Sequence, residues 1–295
     1  MSDPTGAPQS QPRLPELNRA ERLQRVLELL DTRDSVQVSE LSDAFAVSEV
    51  TIRHDLAHLA QQGLVARVRG GVRALPRAQS ELAFDARLRL RADEKRAMAR
   101  FASSLVADGE SVALDSSTSA YYLALELRRR RELVVVTNGL LIAAALADAP
   151  GVTVLVTGGM LRQAAMSVVG DLAAEVLHST RIDKGFFGAR GLSLERGLLD
   201  LNPDEVRFKQ QMVAACERVI GLFDGTKWHR SALLSFVPAE RVHAIVTDAG
   251  APDELVRGWR ERGVEVHTAE LGRRAHGFER VPDLLRVRDD LGAAG

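Results

Sequence analysis

The sequence predicts an α/β protein of two domains, an N-terminal winged helix-turn-helix and a larger α/β domain with a parallel sheet. The chain has 295 residues, enough for two domains. Residues 19–74 are predicted to form helix, helix, tight turn, helix and hairpin, the order of a winged helix-turn-helix. After about residue 93, continuous apolar strands alternate with helices, which is typical of a parallel sheet covered on both faces.

The composition is that of a globular protein and excludes several classes of site. Hydrophobic residues make up 45% and charged residues 27% of the chain. The net charge of −1 means that any nucleic-acid contact must come from a local basic cluster. The single cysteine, Cys216, excludes an internal disulfide and a thiolate-rich metal site.

The sequence also predicts the cellular location of the protein. The Pro-rich residues 1–18 contain no apolar segment of the secretory type and are predicted to be a disordered tail. No apolar run approaches the roughly 20 residues that a membrane span needs. We therefore expect a cytoplasmic protein with no membrane partner.

Three helices are predicted at the N-terminus. Ser39 can cap a second short helix that ends near Phe45, and Ser48 can cap the third after a tight turn. Gly63 is placed to end the third helix. The apolar positions at helix spacing are Leu23, Val26, Leu27 and Leu30 in the first helix, and Ile52, Leu56 and Leu59 in the third.

A hairpin follows the third helix. Residues 64–68 alternate between apolar and polar side chains, as a strand does. Gly70-Gly71 is predicted to form the turn, and Val72 to begin the return strand. This hairpin is the predicted wing.

The rest of the chain is divided by composition into a linker over 75–92, a larger domain over 93–275 and a tail over 276–295. The predicted strands are Val112–Leu114, Leu133–Val136, Val152–Val156, Ile182–Phe187, Val219–Phe223, Val242–Val246 and Val264–Val266. The predicted helices are 94–107, 119–130, 139–148, 171–178 and 204–217.

A basic cluster in the first domain indicates contact with double-stranded DNA. If the apolar face of the third helix packs in the core, the other face is free to meet DNA. An arginine in the first turn of such a helix can pair with guanine or clamp a phosphate. The wing adds further arginines, and no acidic residue occurs between Asp55 and Glu81. The residues expected to contact DNA are Ser39, Ser48, Thr51, Arg53, His54, Arg67, Arg69 and Gly70.

The sequence of this region allows two other interpretations. A helical hairpin with solvated arginines could serve protein interaction instead. His54 and His58 have the i, i+4 spacing of two zinc ligands on a helix, but no Glu follows the first His and no third ligand lies nearby in sequence. We expect no metal and no cofactor.

Hydroxyl-rich turns follow three of the predicted strands of the larger domain. The turn 115–119 lies between a strand and a helix, where backbone N–H groups and the helix dipole favour an anion. The turns 137–139 and 157–159 also follow strands and should lie at the same edge of a parallel sheet. Each turn could equally be an ordinary helix cap. Together they favour a phosphate-binding edge.

The N-terminal motifs resemble those of a known family. VQVSEL at 36–41, FAVSEVTIRHDL at 45–56, GLVAR at 63–67 and GGV at 70–72 resemble the N-terminal domain of the DeoR family of bacterial repressors. Arg53-His54 departs from the two consecutive arginines usual in the family. Because histidine is a weaker and pH-dependent phosphate partner, operator or salt dependence is expected to differ.

The resemblance extends into the larger domain, so that it spans about residues 19–250. Its motifs there are Glu94-Lys95, LDSSTS at 114–119, VVTN at 135–138, GGMLR at 158–162, Ser167, Gly170 and DGTK at 224–227. They resemble the DeoR-family effector domain, which is similar in fold to ribose-5-phosphate isomerase.

The resemblance implies that the turn 115–119 holds the phosphate of a phosphorylated sugar. Ser117 stands where many relatives carry Gly, so a side chain there is expected to narrow the pocket. The implied effector-binding residues are Asp115, Ser116, Ser117, Thr118, Ser119, Thr137, Asn138, Gly158, Gly159, Arg162, Lys209, Asp224 and Lys227.

The sequence therefore predicts a DeoR-type repressor of carbohydrate-metabolism genes that a phosphorylated sugar releases from its operator. A homo-oligomer, dimer or tetramer, is expected because paired half-sites raise specificity. The alternative is a sugar-phosphate isomerase-like enzyme with a regulatory DNA-binding domain, which would need a carboxylate base. Candidate bases are Asp115, Asp200, Asp204, Glu205 and Asp224. A shared fold does not confer the reaction, and we expect no enzyme.

Overall fold

The structure, a computed structural model, describes residues 17, 19–33, 35–61, 65–74, 84–170 and 177–271. The chain divides into two compact units, residues 1–82 and 83–295. The predicted C-terminal tail and all of the N-terminal tail except Leu17 lie outside the described residues, as do Gly63 and residues 171–176.

The smaller unit is a winged helix-turn-helix, as predicted. Its elements are α1 (Arg19–Thr32), β1 (Ser35–Gln37), α2 (Val38–Phe45), α3 (Glu49–Gln61), β2 (Val65–Val68) and β3 (Gly71–Ala74). The three strands form an antiparallel sheet in the order β1-β3-β2. The first of these strands was missed, because three residues are too few to show alternation.

The predicted apolar faces build the core of this unit. Ile52, Leu56 and Leu59 of α3 are buried, as are Val26 and Leu27 of α1. These side chains fix which face of α3 turns outward.

A buried carboxylate ties α3 to α1. Asp55 is only 2% exposed. Its Oδ1 accepts from Arg19 Nε at 3.2 Å and its Oδ2 accepts from Arg22 Nε at 2.9 Å. Because a buried carboxylate without partners is costly, this pairing holds the two helices in one register.

Two local predictions in this unit were wrong, the first by two positions and the second by one. Helix α2 begins at Val38 with Gln37 in the cap position, so Ser39 lies exposed inside the first turn and caps nothing. The wing turn is formed by Arg69 and Gly70, and Gly71 already belongs to β3. Gly70 has φ +81°, a left-handed conformation that favours glycine.

The larger unit is built on a parallel sheet. Its helices are α4 (Phe84–Arg89), α5 (Ala92–Ser104), α6 (Thr118–Leu127), α7 (Leu140–Leu146), α8 (Pro203–Ala215) and α9 (Asp253–Glu261). Its strands are β4 (Ser111–Leu114), β5 (Leu133–Thr137), β6 (Val152–Val156), β7 (Met160–Arg162), β8 (Ser167–Val169), β9 (Ile182–Phe187), β10 (Gly191–Ser193), β11 (Gly197–Asp200), β12 (Cys216–Leu222), β13 (Leu234–Val237), β14 (Ala244–Asp248) and β15 (Glu265–Ala269).

All seven predicted strands of the larger domain lie in one sheet, in the order β15-β14-β12-β9-β4-β5-β6. Every neighbouring pair in it is parallel. The chain starts at β4 in the middle, proceeds to the β6 edge, and then returns to β9 on the other side of β4. The strand order therefore reverses between β4 and β9, and ligands bind at such switch points of open parallel sheets.

Both faces of this sheet are covered. One face packs against α4, α5, α6 and α7, and its core includes Met98, Leu123 and Leu114. The other face packs against α8, α9 and a small antiparallel sheet of β10, β11 and β13, and its core includes Phe208 and Trp259. Burial on both faces accounts for the apolar runs of central strands such as β4, whereas the edge strand β6 is partly exposed.

The predicted linker over 75–92 is wrong in its second half. Residues 84–89 form α4, and Phe84 and Leu88 are buried in the core of the larger unit. The mixed charges around these two apolar side chains obscured the helix.

The short hairpin of β7 and β8, the small antiparallel sheet and α9 were not predicted. None of the described helices is long and apolar enough to cross a membrane.

Candidate DNA-binding helix and effector site

Helix α3 presents the predicted DNA-contacting side chains. Ser48 is its N-cap, since Ser48 Oγ accepts from the backbone N–H of Thr51 at 3.2 Å. Arg53 and His54 are exposed, and Thr51 is half-buried. Arg53 Nη2 lies 2.6 Å from Glu49 Oε2, one turn earlier. The sequence prediction did not include Glu49.

The wing brings arginines to the surface of the same unit. Arg67, Arg69 and Arg73 are exposed, and Gly70 lies at the turn. A Cβ at Gly71 would lie 2.1 Å from the carbonyl oxygen of Val36, so only glycine lets β3 approach β1 there.

The turn 115–119 lies at the switch point of the sheet. It follows β4 and leads into α6, whose first N–H groups have no partner within the helix. Ser117 is the N-cap of α6, and its Oγ accepts from Ala120 N at 3.1 Å. Its φ is −76°, an ordinary value, so a non-glycine residue fits here without strain. The Ser117 side chain leaves no room for a side chain at Gly188 after β9, because a Cβ there would lie 2.4 Å from Ser117 Cβ.

Asp115 holds this turn in place. It is fully buried, and its carboxylate accepts from Ser117 N at 3.1 Å and from Gly188 N at 2.9 Å. Lys209 Nζ lies 3.0 Å from Asp115 Oδ2 and 2.8 Å from Asp200 Oδ2. Asp115 therefore joins the ends of β4 and β9 to α8.

The ion pairs of Lys209 fix its charge. Burial lowers the pKa of Lys209, but the carboxylates of Asp115, Asp200 and Glu205 raise it above its usual range. For Asp200, burial raises the pKa while Lys209 and Arg190 lower it, and the net result is below the usual value. The surrounding carboxylates thus favour the charged form of Lys209.

A second buried network surrounds Glu205, which the sequence prediction weighed only as a candidate base. Its Oε1 accepts from Arg162 Nη1 at 2.7 Å and from the hydroxyl of Ser167. Asn138 Nδ2 donates to Val168 O at 3.2 Å and lies 3.5 Å from Glu205 Oε2. Asn138 Oδ1 is buried and accepts no hydrogen bond from the described residues.

Strand register brings these two networks together. Leu114 of β4 pairs with Thr137 of β5, so Asp115 and Asn138 leave the sheet side by side. The hydroxyl of Thr137 stabilises the fold, since its Oγ1 donates to Leu114 O at 2.7 Å and accepts from Gly139 N at 3.0 Å.

Gly158 and Gly159 lie farther along the edge, after β6. Both are exposed, and a Cβ at Gly158 would meet no atom within 4 Å. Gly159 has φ +132°, which favours glycine. These two glycines shape the connection into the β7–β8 hairpin that carries Arg162.

A third group follows β12. Asp224 accepts from Thr226 N at 3.0 Å and so caps the short turn that holds Lys227. Burial raises the pKa of Asp224, but Lys227, Thr226 and Lys95 lower it to about 2. Lys227 is half-buried beside it.

Helix α4 contacts elements of all three groups. Lys95, which is 5% exposed, donates from Nζ to Arg87 O at 2.5 Å and to Leu90 O at 2.6 Å. The hydroxyl of Tyr122 in α6 donates to Leu88 O at 3.2 Å. Phe84 N donates to Ala164 O in the β7–β8 turn at 3.0 Å. Helix α4 is thereby connected to α5, α6 and the β7–β8 turn.

Two of the candidate bases, Asp224 and Asp200, have lowered pKa values. A general base works best with a pKa near the working pH. The pKa of Asp224 is about 2, and that of Asp200 is also below its usual value. These two carboxylates are therefore poorly matched to a general base at neutral pH.

Each of the two units contains a match to a domain of one known protein family. Residues 22–77 match the DeoR-like helix-turn-helix domain, and residues 90–249 match the DeoR C terminal sensor domain. The chain belongs to the DeoR family. It is a DeoR-type transcriptional regulator with a DNA-binding domain followed by a sensor domain.

Curated relatives span almost the same length. A transcriptional repressor of Escherichia coli O157:H7 named for the aga operon is 36% identical over 84% of this chain and 93% of its own. The regulator GolR of Listeria innocua is 32% identical over 85% of this chain and 98% of its own. The glycerol-3-phosphate regulon repressor of Escherichia coli K12 is 29% identical over 82% of this chain and 95% of its own.

Solved structures overlap the chain more loosely. A ribose-5-phosphate isomerase in complex with phospho-erythronic acid is 13% identical, with a TM-score of 0.35 over 45% of this chain and 52% of its own. A Pyrococcus horikoshii initiation factor eIF-2B has a TM-score of 0.38 over 79% of this chain and 90% of its own, at 11% identity. Overlaps this weak carry no argument about the ligand.

Proposed function

We propose that this protein is a transcriptional repressor that a phosphorylated sugar releases from its operator. The observation that carries the proposal is the turn 115–119. It lies at the sheet's switch point, opens a helix of ten residues, and belongs to a DeoR sensor domain. A phosphate is the ligand that such a helix N-terminus favours.

The rest of the effector is assigned to the residues around this turn. Lys227 provides a further cation for the phosphate, and Asn138 Oδ1 offers an acceptor to a sugar hydroxyl. Arg162 and Lys209 are already paired with carboxylates, so we assign them to the walls and floor of the site. The names of two relatives, which refer to the aga operon and to the glycerol-3-phosphate regulon, support control of carbohydrate genes.

We assign no catalytic reaction to the site. The curated relatives are named as regulators, and two of the five candidate bases, Asp224 and Asp200, have lowered pKa values, which favours regulation over the isomerase-like alternative. We further propose that the protein acts in the cytoplasm as a homo-oligomer, since paired half-sites need paired recognition helices. Light scattering on the full chain would measure the number of subunits.

The test is a thermal-shift screen of phosphorylated sugars, with each parent sugar as its control. A ligand at one hundred times its Kd stabilises the folded state by about 2.7 kcal/mol. We expect phosphorylated compounds alone to raise the Tm, and the same compounds to weaken operator binding. Equal stabilisation by parent and phosphorylated sugars would contradict the phosphate assignment. Substrate turnover by the full chain would favour the enzyme.

A further inference from the structure

The outward face of α3 carries one apolar side chain that the fold does not explain. Val50, Arg53, His54 and Ala57 have the i, i+3, i+4, i+7 spacing of a single helix stripe. This stripe lies opposite Ile52, Leu56 and Leu59, which are buried. Val50 is 59% exposed and comes first in the stripe, in the first turn of the helix.

Nothing in the described residues of the small unit calls for valine at this position. Valine loses side-chain freedom in a helix, and an exposed isopropyl group buries nothing that stabilises the fold. A polar residue would fit as well at the start of a helix. The side chain is therefore available for contact with whatever this face of the helix meets.

The neighbours of Val50 indicate the kind of partner. Arg53 and His54 follow it on the stripe, Ser48 and Thr51 flank it with hydroxyls, and the exposed wing arginines belong to the same unit. In a helix-turn-helix protein, the N-terminal residues of the recognition helix contact base edges in the major groove. The one apolar group that a base edge presents there is the methyl of thymine.

We propose that Val50 is a specificity-determining residue that packs on a thymine methyl in the operator. The helix rises about 4.5 Å from Val50 to Arg53, and base pairs are about 3.4 Å apart. The thymine therefore lies within about two base pairs of the base or phosphate that Arg53 contacts.

The experiment replaces single thymines by uracil, which removes the methyl group and leaves the hydrogen-bonding pattern unchanged. The probe is a duplex selected from a randomised library by the full-length protein, remade with uracil at one position at a time. At one thymine of each half-site we expect about fourfold weaker binding, the factor for one buried methyl group. The Val50→Ala variant should show no penalty at that position.

A matched control is Val68→Ala, which removes a valine that is 37% exposed in the wing of the same unit. It should keep the uracil penalty of the wild type. If Val50→Ala keeps that penalty too, or if no thymine is sensitive in the wild type, the inference is overturned. A selection that enriches no sequence would also overturn it.

The result does not depend on the effector. If sugar phosphates did not weaken operator binding but uracil substitution still did, the proposed effector would be wrong and the proposed role of Val50 would be unaffected.

Discussion

Arg53 and Glu49 form an ion pair one helical turn apart on the exposed face of α3, with Arg53 Nη2 2.6 Å from Glu49 Oε2. Both side chains are about half exposed, at 57% and 44%. Such a pair contributes only about 0.3–0.5 kcal/mol, so DNA can displace it at little cost. The pairing is therefore a weak local contact that leaves the guanidinium available to other partners.

The Arg53→Ala variant is expected to lose operator affinity by about 1–3 kcal/mol per half-site, the range for a bidentate arginine contact. The measurement is a titration of operator duplex at fixed salt, followed by its salt dependence. If Arg53 contacts a base, relaxed specificity accompanies the loss; if it contacts a phosphate, the salt slope falls by about one. Wild-type binding by the variant would contradict its assigned role.

Glu49→Gln is the complementary change. It removes a negative charge from the DNA-facing surface and releases Arg53, so non-specific DNA binding should tighten and depend more steeply on salt. An unchanged salt slope would indicate that Glu49 stays outside the contact.

Lys227→Ala is expected to leave operator binding intact and to blunt release by the effector. Lys227 is the half-buried cation on the short turn that Asp224 caps. The measurement is the effector concentration that halves operator binding. A control is Lys184→Ala, since Lys184 pairs with Glu110 at 2.6 Å near the amino ends of the strands. If the Lys227 variant responded at the wild-type concentration, the effector site would have to lie elsewhere.

The sheet strands could be predicted because apolar residues dominate most of them, although the edge strand β6 is partly exposed. The position of the turns 115–119 and 137–139 at one edge follows from parallel pairing alone. The roles of their side chains could not be predicted as well, because these roles depend on partners that are distant in the sequence. Asp115 meets Lys209 and Gly188 only after folding, and Glu205 meets Arg162 across 43 residues.

Val50 shows a second limit of prediction from the sequence. Its apolar type suggests a core residue, but its helix phase is opposite to that of Ile52 and Leu56. The phase is evident in the sequence, but an apolar side chain does not match the polar pattern that predicts a DNA-contacting face. Helix α4 was missed because two apolar residues among charges do not establish a period.

Gly188→Ala is expected to destabilise the larger unit. The new Cβ would lie 2.4 Å from Ser117 Cβ and 2.7 Å from its Oγ, closer than packed atoms approach. Overpacking of this kind costs about 1–3 kcal/mol, measured by urea unfolding. Adding Ser117→Gly should recover part of the loss, although the helix cap is then missing. Additive effects of the two changes would contradict the close contact.

Lys95→Met tests the buried amine beneath α4. Burial lowers the pKa of Lys95 to about 7; Asp224 and Glu94 oppose this change, and Lys227 and Arg87 add to it. The unfolded chain therefore holds one more proton than the folded chain between about pH 7 and pH 10. Stability rises with pH wherever the unfolded state binds more protons. The free energy of unfolding of the wild type, relative to the variant, should be level below about pH 6 and should increase by up to about 1.4 kcal/mol per pH unit above pH 7.

Both tryptophans, Trp228 and Trp259, are buried in the larger unit, so their fluorescence during urea unfolding reports on that unit alone. Parallel curves for the wild type and Lys95→Met from pH 6 to pH 9 would show that the amine keeps its ordinary affinity for a proton. A difference that grows with pH would place an uncharged amine at the carbonyls of Arg87 and Leu90 in mildly alkaline solution. In that case an effector phosphate near Lys227 should favour protonation of Lys95, and its binding should take up a proton that calorimetry in buffers of different ionisation enthalpy detects.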